Sequence, residues 1–205
     1  MPWENRSAIV LGAGAASGSH LAQRLASLGV SLFAVDANPD RSDQVVELIR
    51  RQGGRAETWC ADISNRFQVS ALIERARDQL ERISLLVNCT ELAPNRDILS
   101  LDEWEWRRMV DVNLTGAFFA TQLMARVMAE EEGGVIVHAI GSPILAGNPA
   151  TSATRAAIAA FSQHAHERLH EHGVHVLSIT ADPQETQEEM AARILASCRA
   201  SLLAI

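Results

Sequence analysis

"SAIVLGAGAASGSHLAQRLASLG", Ser7 to Gly29, decides the fold. An apolar run passes into a turn carrying Gly12, Gly14 and Gly18, and a helical pattern follows that stops at Gly29. Glycines between a strand and a helix permit a tight turn and let the backbone approach a pyrophosphate, which then rests on the helix N-terminus. The next apolar run, "SLFAVD" (31–36), ends on Asp36. A carboxylate there is placed to accept hydrogen bonds from an adenosine ribose and to repel a 2′-phosphate, which favours NAD over NADP.

Further along the chain the same alternation recurs. Apolar runs at 56–62, 83–88, 134–140 and 174–180 are separated by helical stretches. Strands apolar at nearly every position belong to a sheet covered on both faces. The pattern predicts an α/β chain: a Rossmann-type doubly wound parallel sheet with helices on both faces, in a single domain over residues 1–205. The helix after strand two is expected to start on a Ser42/Asp43 cap. The next one should bury a stripe of Phe67, Val69, Leu72, Ile73, Ala76 and Leu80. A long pattern from Leu101 to Glu132 should contain a break, with a helix resuming near Leu114. Trp104 and Trp106 cannot share a helical face, so one of them is expected to pack inward.

Composition narrows the class without naming a function. The chain has 205 residues, 47% of them hydrophobic, a formal net charge of −7 and three cysteines. Its apolar residues fall in short blocks, none long enough to span a membrane, and no basic stripe suits nucleic acid. The N-terminus lacks a secretory pattern and the cysteines are too few for a disulfide framework, so a cytoplasmic location is expected. Neither nucleic acid nor membrane is expected as a partner, and no metal site is expected.

Several motifs in order make the chain resemble the short-chain dehydrogenase/reductase (SDR) family. "GAASGSH" is similar to the family's Thr-Gly-x-x-x-Gly-x-Gly turn, and "CADIS" to its third-strand end. "LLVNCTE" stands where the family has Asn-Asn-Ala-Gly, while "VDVNLTGAFF" and "VIVHAIGSPILAG" match its long-helix and fifth-strand motifs. The resemblance implies cofactor contacts at Gly12, Gly14, Ser17, Gly18, Asp36, Asp62, Ile63 and Asn88, with Asp62 on the adenine amine. It places the catalytic Asn and Ser at Asn113 and Ser142. The family's helix packing implies a homo-oligomer, dimer or tetramer, or a hetero-oligomer with an active relative.

The departures from the family cluster at the chemistry. The chain contains no tyrosine. The resemblance puts Thr151 on the family's acid/base tyrosine and Arg155 on the lysine that lowers its pKa. A phenol titrates near ~10 and an aliphatic hydroxyl near water's ~15.7. That gap is on the order of 7–8 kcal/mol against forming the alkoxide. A guanidinium is also no replacement for an ammonium at a tight ribose site. His20 replaces the last glycine of the turn, where close packing wants no side chain. Glu91 replaces the glycine of Asn-Asn-Ala-Gly and would repel the phosphates unless it points away. Beyond Asp182 the family's substrate-covering segment is almost absent.

Two functions remain open. One is a non-catalytic structural or regulatory subunit with at most weak NAD binding. The other is an active NAD-dependent oxidoreductase that uses Ser142, Asn113 and a bound water. The histidines of "FSQHAHERLHEHGVH" (161–175) read as a solvated helix face that could make assembly pH-sensitive. His138 reads as a satisfied core residue and Cys89 as a small buried hydrophobe.

Overall fold

In the computed structural model, which describes residues 3, 5–141 and 148–205, the apolar runs form six strands. They are β1 (Ser7–Leu11), β2 (Ser31–Asp36), β3 (Ala56–Cys60), β4 (Leu85–Asn88), β5 (Gly134–Ile140) and β6 (Val174–Thr180). All pair in parallel, in the order β3-β2-β1-β4-β5-β6. Ile9 of β1 stands between Phe33 of β2 and Leu86 of β4, so β1 lies at the point where the strand order reverses. Parallel strands need crossovers, and the helical stretches supply them. They are α1 (Ala16–Ser27), α2 (Pro39–Arg51), α3 (Arg66–Gln79), α4 (Glu103–Met109), α5 (Gly116–Glu130), α6 (Pro149–Leu169) and α7 (Gln187–Leu202).

Alternate strand residues serve opposite layers, as a pleated strand requires. Ala8 and Val10 join Leu21, Leu25, Val46, Ile49, Ile194 and Cys198 under α1, α2 and α7. Ile9 and Leu11 join Leu72, Ile73, Met124 and Met128 under α3 and α5. The last helix packs against the first, its Met190, Ile194 and Leu202 sharing one apolar layer with Leu21 and Leu25.

Local chemistry moves several boundaries. The cap of helix α2 lies four residues before the anticipated Ser42, and the helix starts at Pro39, because Asn38 caps it: its Oδ1 accepts from the Asp40 N–H at 3.0 Å. Proline at the first helical position already has the right φ and lacks an N–H that needs a partner. Phe67 is 84% exposed and does not belong to the buried stripe of α3. At about 100° per residue it points roughly 200° away from Val69. Trp104 and Trp106 are both exposed, since α4 is short and buries only Met109. The break in the long pattern is a π-helical segment, Val110–Thr115, joining α4 to α5. No helix among the described residues is long and apolar enough to cross a membrane.

Candidate functional site

A cleft of about 360 Å³ opens at the C-terminal ends of β1 to β4, where the strand order reverses. This is where open parallel sheets bind ligands. Gly12, Asp36, Asp62, Ile63, Glu91 and Arg108 are among its lining residues. Gly18 sets the floor: a Cβ there would lie 2.1 Å from the Gly12 carbonyl oxygen, so only glycine lets α1 start this close to β1. Helix α1 has no side-chain cap. Its first N–H groups are therefore left for a ligand or solvent, an arrangement that suits an anion. His20 does not line the cleft, and the close approach assigned to its position is made by Gly18 instead. Its Nε2 is buried without a hydrogen-bond partner among the described residues.

Asp36 closes the turn. Its Oδ2 accepts from the Gly14 N–H and its Oδ1 from the Asn38 N–H, both at 2.9 Å. It still lines the cleft, as a ribose-binding carboxylate would. Asp62 is held by its neighbours: Oδ1 accepts from the Ser64 hydroxyl at 2.7 Å, and Oδ2 from Arg108 Nη2 at 2.7 Å. Burial raises its pKa, but the bonds from Ser64 and Arg108 outweigh this and hold the carboxyl below its ordinary value. Gly12, Asp36, Asp62 and Ile63 thus meet at one cleft, and they fit the adenosine half of a dinucleotide.

Other residues assigned to cofactor contact brace the cleft from behind. Ser17 hydrogen-bonds the Cys89 thiol, whose pKa burial pushes up to about 12. Asn88 is buried and does not line the cleft. Its Oδ1 accepts from the Thr90 N–H at 3.0 Å, and its Nδ2 lies 3.4 Å from His138 Nδ1. His138 is also 2.9 Å from the Thr121 hydroxyl through Nε2, and burial pushes its pKa down to about 4. A neutral ring with its proton on Nε2 satisfies both contacts.

The positions of the family's chemistry lie around the start of α6. Asn113, on the π-helical segment, accepts from the Leu92 N–H at 2.7 Å and donates to the Leu92 carbonyl at 2.9 Å and to Thr154 Oγ1 at 3.2 Å. Thr151 is 0% exposed. Its hydroxyl donates to Asn148 Oδ1 at 3.1 Å, inside the cap of α6. Ser142 lies outside the described residues.

Arg155 corrects the expectation for Glu91. Arg155 Nε and Nη2 donate to the two carboxylate oxygens of Glu91, each at 2.7 Å, and the Arg155 side chain is 8% exposed. The carboxylate at the cleft wall is therefore neutralised from behind and does not act as a bare charge on a phosphate. Two departures that look independent in the sequence are one contact. The signal available was the appearance of opposite charges at two positions where the family has neither acid nor arginine.

Elsewhere, the His166 ring lies 5.8 Å from that of His170 and 5.3 Å from that of His175, measured between centroids. His166 Nδ1 accepts from the Val176 N–H at 3.3 Å. Among the described residues no group of three or more His, Cys, Asp or Glu is placed to hold a metal. Only residues 181–186 connect β6 to α7, and Thr186 and Glu189 form a capping box there.

Comparison with known proteins agrees with this geometry. A sequence model of the family described as short chain dehydrogenase matches residues 6–195. The short-chain reductase protein NovJ of Streptomyces niveus is 32% identical over 174 residues, covering 84% of this chain and 66% of that protein. The 2,3-dihydro-2,3-dihydroxybenzoate dehydrogenase of Bacillus subtilis is 33% identical over 149 residues, covering 73% of this chain and 56% of its own length. The chain thus spans less than two thirds of the length of either relative. A metagenomic short-chain oxidoreductase in complex with NADP shares the fold, with a TM-score of 0.90 at 20% identity over 97% of this chain and 93% of that one.

Proposed function

Since the chain belongs to the short chain dehydrogenase family, we propose that it keeps the nucleotide cleft of that family and has given up proton transfer. On this reading it is a structural or regulatory subunit that binds NAD weakly. One observation carries the proposal: the residue in the acid/base position, Thr151, is fully buried and its hydroxyl is committed to Asn148. A hydroxyl so placed is already engaged inside the helix cap, and its acidity falls on the order of 7–8 kcal/mol short of a phenol's. The other half of the usual pair, Arg155, is occupied by Glu91.

NAD, when bound, supplies or accepts a hydride. Asp36 would hold its adenosine ribose, and the Gly12–Gly18 turn would hold its phosphate. The partner surface is assigned to α5 and α6, where Phe118, Ala125, Phe161 and Leu169 line an open groove beside Arg126 and Arg168. A second copy or an active relative would dock there.

Calorimetry with NAD⁺ and NADH, followed by assay over a panel of alcohols and ketones, tests the reading. Weak binding without turnover is the expected result. Turnover that disappears in Ser142→Ala would overturn it in favour of an oxidoreductase working through Ser142, Asn113 and water.

A further inference from the structure

The open groove between α5 and α6 has a chemistry that narrows its occupant. It holds about 460 Å³, and its apolar floor is built around Phe118 and Phe161, whose rings meet edge to face at 6.3 Å. Arg126, Arg168 and His172 also line it, and among the described residues no acidic side chain does. Glu130, Glu167 and Glu171 belong to the same stretches of chain but stand outside the groove. Both arginines are exposed, and among the described residues neither makes an ion pair or a hydrogen bond. In a chain of net charge −7, this is positive charge gathered beside apolar surface.

The groove also presents a hydrogen-bond donor. Thr121 lines it, one turn from Phe118 and one from Ala125, and Thr121 Oγ1 lies 2.9 Å from His138 Nε2. The direction of that bond is fixed from the far side of the imidazole. Asn88 Oδ1 accepts from the Thr90 N–H, so the Asn88 amide nitrogen meets His138 Nδ1 as a donor. The ring proton is then on Nε2 and is donated to Thr121. The hydroxyl proton of Thr121 has no acceptor among the described residues, so an occupant must bring one.

A second copy is a poor match. A twofold dimer sets the same patch on both sides of the interface. Here it would gather two Arg126 and two Arg168 around one apolar groove, where like charges cost affinity. It would also turn two Thr121 donors toward each other.

Resting on the reading of this groove as the partner surface, we propose that its occupant is an acidic amphipathic helix of a different protein. The lining runs from Phe118 to Ala129 on α5, about 17 Å at 1.5 Å per residue, which suits three turns of helix. Apolar side chains at i, i+4 and i+7 of the partner would meet Phe118, Ala125, Phe161 and Leu169. Carboxylates on its flanks would meet Arg126 and Arg168, and a central carboxylate or carboxamide would accept from Thr121.

The test uses two labelled helical peptides with identical apolar positions, one flanked by glutamates and one by lysines, and reads binding by fluorescence anisotropy. The acidic peptide should bind at least about tenfold tighter than the basic one. The double variant R126E/R168E, which changes only exposed side chains, should reverse that order. Ala129→Trp, at an exposed lining position, should fill the groove and abolish binding. Thr121→Val should weaken the acidic peptide by about threefold to tenfold, and the loss should vanish for a peptide with alanine at the central acceptor position.

Sedimentation of the unmodified protein separates the alternatives. A homodimer that dissociates in Ala129→Trp would give the groove to a second copy, overturning the proposal while the partner surface stands. Equal affinity for the two peptides would overturn the proposal on charge. A monomer that binds neither peptide would remove the partner-surface reading and the proposal with it.

Discussion

His138 is the buried titratable group with the clearest consequence for solution behaviour. Burial holds its pKa down at about 4, against an ordinary value of 6.5. Between those values the unfolded chain binds a proton that the folded chain does not. Its contribution to stability is therefore complete above pH 6.5 and is lost as pH falls toward 4. The loss is on the order of 3 kcal/mol. His175, depressed by partial burial and by the nearby His166 and His170, acts in the same direction. Urea unfolding at pH 7 and pH 5 should show the decline, and His138→Gln should flatten much of it. A variant that keeps the full slope would reassign the effect. At this scale the sequence was readable wherever a residue acts through its own neighbourhood. Asp36 at the end of a strand, the glycines before a helix and His138 within a covered strand all declared themselves. Glu91 and Arg155 did not, because they lie 64 positions apart and nothing periodic links them.

Between α4 and α5 the chain passes through a π-helical segment, and Asn113 explains what that segment holds. Its amide takes both backbone groups of Leu92, fixing the loop that carries the cleft wall after β4. Asn113→Ala should cost about 1–3 kcal/mol in chemical denaturation, the penalty for leaving buried polar groups unpaired. It should also loosen the Leu92 end of the cleft, seen as faster amide exchange at Leu92. Unchanged exchange there would show that the loop is held by other contacts. Helix and strand positions were largely legible from apolar runs and breaks, since those follow from burial. Starts were less so. The α2 start depended on whether Asn38 or Ser42 supplied the cap, and Pro39 was the clue favouring the earlier residue. The exposed Phe67 is a lesson in angle: apolar character put it in the stripe, and helical geometry puts it on the far side.

Across the whole molecule a parallel sheet with helices on both faces was expected from alternation alone, and the six parallel strands with an apolar layer on each side agree. What alternation does not specify is which helix covers which. Helix α7 covers α1, and Ile194 is buried in their shared layer. Ile194→Ala should lower the unfolding free energy by about 2–5 kcal/mol, as other large-to-small core changes do. A change under about 1 kcal/mol would mean the α1–α7 contact contributes little to the fold. The same contact sets a schedule for biosynthesis. Leu21 leaves the ribosome long before Leu202, its companion in the apolar layer. At roughly 5–20 residues per second the interval is on the order of 10–35 s. For that time the outer face of the first helix stays uncovered, although the glycine turn beside it is already complete. An apolar face left uncovered for that long is open to association with other chains until α7 is made.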